Sequence, residues 1–468
     1  MENKLNKKYG LIMAICMVIG IVIGSGVFFK AQEILIHTGG SVWLGVLSFL
    51  IGGIVMVVCA LTFAKFASRY EKVNGIVDYS EFIVGKKYGY LVGWFTSIIY
   101  FPAMTSILAW VSSRYTLVLF GVNDVNSGLC MILAGVYLIA VYALNSLSPK
   151  LAGKFHVSAT IIKLIPLVVM IVVGSVFGLA NGNITSSFAL APANNIGFDS
   201  VFSGIVASAF AYEGWIIATT INAELKDAKK NLPIALTFGT LSIVVIYILY
   251  FISLTGAASV DTLINEGSPQ AFINVFGALG GTVFNAFIVV SCLGTLNGLM
   301  LASTRGLYSL AVRNQGPNPK MFSQIDKVSN APTNSGIIAL LVCSLWLFYF
   351  FGANLYEKPL FGLFSFDSSE LPIITTYLVY IPIFVTFIIK EAKDKKYRNI
   401  ILPIFAVICS LFMIFAAFYA HGIKPYMLAK ENGEFAFPIL FYFIIFIVIM
   451  FIGYLYYKFS KKNNEVEQ

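Results

Sequence analysis

The sequence predicts an all-helical (all-α) integral membrane protein, and three observations carry that reading. Hydrophobic residues make up 58% of the 468-residue chain and charged residues only 11%, against roughly 25% charged in soluble domains. The mean hydropathy is +0.85. The apolar runs are about 20 residues long and apolar on every side, the length a helix needs to cross the hydrocarbon core. A membrane β-barrel would instead show about ten-residue alternating segments.

Twelve segments meet that description, near 10–35, 41–64, 88–119, 128–146, 155–179, 197–224, 232–256, 281–311, 335–351, 371–389, 399–420 and 437–457. Asp261 to Gly280 reads as an amphipathic surface loop. The connections are short, so one transmembrane domain over 1–468 is expected. The charged leader Glu2 to Lys8 precedes a long apolar stretch with no small-residue cleavage site, which fits a retained helix rather than a signal peptide. Six cysteines (16, 59, 130, 292, 343 and 409) lie in or beside apolar runs without a CxxC pair. They read as small buried hydrophobes, with no disulfide and no metal site expected.

Orientation follows from the basic residues. With the N-terminus inside, 25 of the 31 Lys and Arg residues fall on inner loops and tails, and Lys163 lies within a span. Five face outward: Lys30, Arg114, Lys358, Lys424 and Lys430. Both termini are therefore expected in the cytoplasm, in a plasma-membrane protein. The net charge of +9 reads as topology signals and anionic-lipid contacts, not as a nucleic-acid surface.

The first segment contains "GIVIGSGVFFK" (20–30), which places Gly20, Gly24, Ser25 and Gly26 in mid-span. Small residues there permit a close helix crossing. They also permit a break, which hydrocarbon tolerates only where the freed backbone groups are buried in protein or line a cavity. The fifth segment carries Lys163 in "TIIKLIPLV", open to snorkelling toward the inner surface. The sixth carries "SAFAYEGWIIAT" (208–219), with Glu213 and Gly214 at mid-depth. Segments one and six head two five-segment sets, 10–179 and 197–389, of opposite direction; 399–457 adds two further helices. Interruptions at corresponding places in inverted halves point to a transporter site.

A broken helix brings free carbonyls, ending near Val22 and Ile23, beside free N–H groups that begin near Ser25 and Gly26. Free N–H groups suit a carboxylate and free carbonyls suit an ammonium. An α-amino acid carries both on one carbon.

At these residues the chain resembles the amino acid–polyamine–organocation (APC) transporters, most of all bacterial relatives of the L-type light chains, which include serine/threonine and alanine/serine/cysteine exchangers. The resemblance rests on "IGSGVF" (23–28), "FAYEGW" (210–215), the loop "ASRYEKVNGIVDYSEFIVGKKYGYLVGW" (67–94), "GTLNGLMLASTRGLYSLA" (294–311) and "NAPTNS" (330–335). It covers nearly the whole chain. Departures are Glu213 where Asp is frequent, Lys65 where an acid is common, and Asn74 in place of a glycine.

The resemblance implies a LeuT-type five-plus-five inverted repeat with helices 1 and 6 broken. It implies the substrate carboxylate on the Ser25 hydroxyl and the N–H groups of Ser25 and Gly26, and the amino group on carbonyls near Val22, Ser208 and Ala211. It makes Phe210 a gate over the substrate. It also puts Lys163 beside the first break, where sodium-coupled relatives hold Na⁺, which implies sodium-independent transport. Glu213 has three open roles: capping N–H groups near Gly214–Ile216, pairing with Lys163 or a proton, or favouring cationic substrates. Asn297 serves either helix packing or the cavity.

The expected function is therefore a secondary transporter of neutral α-amino acids, by exchange or uptake. The alternative is a proton-coupled symporter of cationic amino acids or polyamines. A serine-protease reading of Gly24-Ser25-Gly26 lacks a histidine base within reach, so no enzyme activity and no cofactor are expected. Cys130 lies at the far end of the loop between segments three and four, where light chains bind their glycoprotein. It reads as a membrane residue, and no obligate heavy-chain partner is expected.

Overall fold

The computed structural model describes residues 10–24, 26–69, 75–122, 127–193, 197, 199–216, 225–329, 331–356 and 358–466. Among the described residues nine helices are long and apolar enough to cross a membrane. They are Val42–Arg69, Lys86–Leu119, Gly128–Leu147, Ala228–Ala257, Ser268–Ala311, Thr333–Leu355, Leu371–Lys393, Tyr397–Glu431 and Pro438–Ser460. The pair Leu164–Ala180 and Asn183–Ala189, bent by 82°, makes up to a tenth. The first and sixth expected segments are built from shorter pieces: Leu11–Val22, Gly26–His37 and Ser200–Ala211.

The stretch read as a surface loop from 261 to 280 is helical instead. Val260–Asn265 forms a short helix whose N-cap, Ser259, accepts from the Thr262 N–H at 3.2 Å. Ser268–Ala311 follows, kinked at Gly277, where φ is 71°. The mixed polar pattern marks a helix with one solvated face, and sequence alone does not separate that from a loop.

The chain forms two compact units, each discontinuous in sequence. The first comprises 1–84, 161–288 and 373–420; the second comprises 85–160, 289–372 and 421–468.

In the first unit, helix 42–69 is the spine. A Cβ on Gly52 would lie 2.1 Å from Ser208 Oγ, and one on Gly53 would lie 2.6 Å from Val244. Lipid supplies no hydrophobic drive between helices, so close backbone approach through small residues is what holds helices 200–211 and 228–257 against this spine. Toward its end the spine buries Phe63 against Trp215, Tyr380 and Phe384, with ring centroids 5.0–5.6 Å apart. At the last turn Arg69 makes a bidentate pair with Glu391 at 2.6 and 2.8 Å. Asn399 donates to the same carboxylate at 2.5 Å, and Lys65 donates to the Asn399 carbonyl at 2.9 Å. Lys65 thus finds a backbone acceptor.

In the second unit a proline sets the packing of helix 86–119. Pro102 has no N–H to give to the Ile98 carbonyl four residues earlier, and a π-helical turn spans Thr96–Tyr100 just before it. The indole N–H of Trp346 donates to that carbonyl at 2.9 Å. Trp94 likewise donates to the Ile449 carbonyl at 2.9 Å, in the space that Gly453 leaves open.

Replacing Trp346 by Phe keeps the apolar body and removes the donor. Interhelical hydrogen bonds in membranes are worth about 0.6–1.7 kcal/mol. Trp346→Phe is therefore expected to lower the thermal unfolding midpoint of the purified protein by a few degrees, and an unchanged midpoint would show that Ile98 needs no such donor.

Candidate functional site

The helix Leu11–Val22 stops where the sequence places its small residues. Ile23 leaves the helical region at φ −67°, ψ 98°, and its N–H closes the last turn on the Ile19 carbonyl at 2.8 Å. Gly24 is a bend, Ser25 lies outside the described residues, and a new helix runs Gly26–His37. The helix Ser200–Ala211 ends in the same neighbourhood. Tyr212–Gly214 form a turn with Gly214 at φ 105°, a value that suits glycine. The segment 217–224 lies outside the described residues.

Three helix ends thus meet. A Cβ on Gly26 would sit 2.8 Å from Ala211 Cα and 3.3 Å from the Phe210 carbonyl. Only glycine admits this approach, because the opposing atoms are backbone and cannot swing away. The N-terminal end of helix 26–37, the positive end of its dipole, abuts the carbonyl end of helix 200–211.

Sequence reasoning missed the residue that joins these ends. Tyr247, fully buried on helix 228–257, places its hydroxyl 3.1 Å from the Val22 carbonyl and 3.0 Å from the Ala211 carbonyl. A phenol has one hydrogen, so two acceptors share a single donor. A tyrosine in an apolar run is itself a signal, because a buried hydroxyl needs a partner. The run "SIVVIYILYFISL" does not say which partner.

The other expected residues fall as follows. Lys163 is buried and donates to the Gly20 carbonyl. It sits at the junction between helices Pro149–Ile162 and Leu164–Val169, where Pro166 removes the N–H that the Ile162 carbonyl would use. Ser208 is fully buried, with its hydroxyl donating to the Ile205 carbonyl at 2.7 Å. The Ser208 carbonyl accepts from Tyr212 N–H at 3.1 Å. Phe210 packs edge-on against Phe29 with centroids 6.1 Å apart. Glu213 is half-buried and lies in electrostatic contact with the buried phenols Tyr377 and Tyr380.

Asn297 belongs to the second unit. It accepts from Asn145 at 2.8 Å and donates to the Ala152 carbonyl at 3.0 Å, a tie between helices. Tyr212 and Trp215 are core aromatics; the Tyr212 hydroxyl donates to the Phe49 carbonyl at 2.9 Å.

The chain matches the amino acid permease family model over residues 9–451. It belongs to the amino acid permease family. Family members among its relatives include the serine/threonine exchanger SteT of Bacillus subtilis, 30% identical over 88% of this chain and 91% of that protein. The mouse b(0,+)-type amino acid transporter 1 is 25% identical over 98% of this chain and 90% of its own length. The crystal structure of MhsT in complex with L-phenylalanine matches with a TM-score of 0.58 at 16% identity, covering 89% of this chain and 100% of that one. That likeness gives the fold, the LeuT type. The chain is accordingly an amino acid transporter of the membrane, and its relatives are carriers rather than enzymes.

Within this permease family member, Tyr247→Phe would leave the Val22 and Ala211 carbonyls short of a donor. An unsatisfied buried group costs about 1–3 kcal/mol. Amino acid transport by Tyr247→Phe is expected to fall by roughly tenfold in kcat/KM, measured in proteoliposomes at matched protein. A variant as active as the parent would detach Tyr247 from the site.

Proposed function

We propose that the protein exchanges neutral α-amino acids across the plasma membrane by alternating access, without sodium. In this reading the chain makes twelve spans with both termini inside, as two inverted five-helix repeats, and spans one and six are both interrupted. The observation that carries it is the convergence of three helix ends on Tyr247 and Gly26. The substrate carboxylate lies on the N–H groups at Ser25 and Gly26. Its ammonium, with three donors, lies on carbonyls at Val22, Ile23, Ser208 and Ala211, where one phenol hydrogen is already divided between two acceptors. Phe210 closes over the side chain. The name of the Bacillus relative makes serine and threonine the first substrates to test.

Sodium independence is supported by the Lys163 ammonium at the Gly20 carbonyl. A cation fixed there does for the last turn of helix 11–22 what a metal ion would do, and it disfavours binding of a second cation nearby. No heavy-chain partner is part of this reading. The second reading, proton-coupled uptake of cationic amino acids, is kept by one feature: Glu213 places a carboxyl beside two buried phenols, Tyr377 and Tyr380.

The deciding experiment is uptake of labelled serine into proteoliposomes with or without unlabelled serine inside, and with or without a pH gradient. Exchange requires uptake that depends on internal serine and is indifferent to replacing sodium by choline. Uptake driven by the pH gradient alone would replace this reading with the second one. In the same assay Lys163→Ala removes a charged donor worth about 1.5–3 kcal/mol. It is expected to lower exchange by roughly ten- to hundredfold; undiminished exchange would separate Lys163 from the mechanism.

A further inference from the structure

Lys30 is the most unusual charge in the first unit. The sequence places it among the five cations of the outer side, near the end of the first segment, and it lies within helix 26–37 with a side chain 0% exposed. An ammonium inside the membrane region is costly without partners, and such a residue is by default a functional one. Its partners are specific. The Lys30 Nζ sits 2.6 Å from Glu33 Oε2 and 5.2 Å from the ring centroids of both Phe29 and Phe210. Those distances are within the range of a cation–π contact.

The placement follows from helix geometry. Gly26 and Lys30 are four residues apart, hence on one face and about 6 Å apart along the axis. Gly26 touches the backbone at Phe210 and Ala211, so Lys30 rises one turn beyond that contact, against the Phe210 ring. Glu33 lies one turn further on. It holds the ammonium in place, with His37 beyond it at 3.7 Å from the other carboxylate oxygen. The helix is anchored elsewhere as well: Gln32 donates to the Ile264 carbonyl at 2.7 Å, and the Phe28 carbonyl accepts from Ser268 at 3.2 Å.

We propose that Lys30 is a positioning residue that latches Phe210 shut over the amino acid site on the side toward which helix 26–37 runs. The inference rests on the exchange reading above, with Phe210 as the lid. For substrate to pass on that side, the Phe210 ring must leave the ammonium, and Glu33 prevents the ammonium from following. The latch stabilises every state in which this gate is closed, including the one open to the other side. Its loss shifts the carrier toward the state open on the helix 26–37 side. Apparent affinity scales with the fraction of carrier in the competent state, so the two faces respond in opposite directions. KM falls on the helix 26–37 side, the outer face in the proposed orientation, and rises on the other.

The test is the ratio of inner to outer KM for serine exchange, measured in inside-out and right-side-out vesicles. Lys30→Met is expected to raise that ratio about tenfold, within the range a desolvated cation–π contact supplies. Phe210→Leu is expected to move it the same way, and adding Lys30→Met to Phe210→Leu is expected to move it no further. A ratio unchanged in Lys30→Met overturns the latch, and so does a Lys30→Met shift that persists in full when Phe210 is already Leu. A merely structural role would move both KM values in one direction. Should Lys30→Met fail to accumulate, Lys30→Gln carries the same comparison. A parent protein that exchanges no amino acid removes the exchange reading and the latch together; a parent that exchanges, with variants that leave the ratio fixed, removes only the latch.

Discussion

Everything at the candidate site depends on one constraint: backbone N–H and C=O groups inside hydrocarbon must be satisfied within the protein. A continuous helix does this automatically, and a helix that stops at Val22 does not. Its last carbonyls therefore recruit partners from distant parts of the chain. Ile19 is closed locally by Ile23, Gly20 receives the Lys163 ammonium, and Val22 receives the Tyr247 hydroxyl. The interruption is thus held by residues more than a hundred positions away in sequence. These partners are as much a part of the site as the small residues that allow the break.

The number of donors matters as much as their identity. Tyr247 has one hydrogen for two carbonyls, Val22 and Ala211. In water such a shortfall is trivial, because solvent fills it. In a buried site each missing donor costs about 1–3 kcal/mol. An ammonium brings three donors, which is a physical reason for this geometry to favour an amine over a neutral or anionic group. The same logic separates the two ends of the break. Helix 26–37 starts with N–H groups facing the opposite way, so in the proposed binding mode the polarity of the peptide group itself sorts carboxylate from amine. No side-chain charge is required for that sorting, which fits the near-absence of ionisable residues among the expected substrate contacts.

The sequence made much of this legible, and the reasons it stopped where it did are physical. Glycine and serine in mid-span are costly in a plain helix, so their presence at 20–26 marks the place where helix Leu11–Val22 ends and helix Gly26–His37 begins. Lys163 and Glu213 were visible for the same reason, as charges where hydrocarbon penalises them. The spans themselves follow from length and hydropathy. Tyr247 was not visible, because its role depends on which carbonyls its hydroxyl meets 36 and 225 residues away, and no local pattern encodes that. Asn297 showed its polarity but not its partner. The 261–280 stretch was misjudged because a helix with one wet face and a polar loop have similar composition. The burial of Lys30 is not legible, because a lysine near a span end normally snorkels, whereas here a carboxylate one turn away and two phenyl rings surround it.

The two buried lysines of the first unit show how the membrane gives one residue type different uses. Lys163 sits where Pro166 has already disrupted its own helix, and it donates to a backbone carbonyl of another. Its charge compensates a helix C-terminus, whose partial charge is negative, so its contribution tracks whether helix 11–22 is interrupted. Lys30 stands on an intact helix and is neutralised by a carboxylate three residues along the same face. The same ammonium also sits 5.2 Å from the ring centroids of Phe29 and Phe210. The face of an aromatic ring carries partial negative charge, so a cation set over it adds an electrostatic attraction that dispersion alone does not supply. In the proposed reading, a buried ion pair beside Phe210 provides that attraction without placing net charge in the path of a zwitterion.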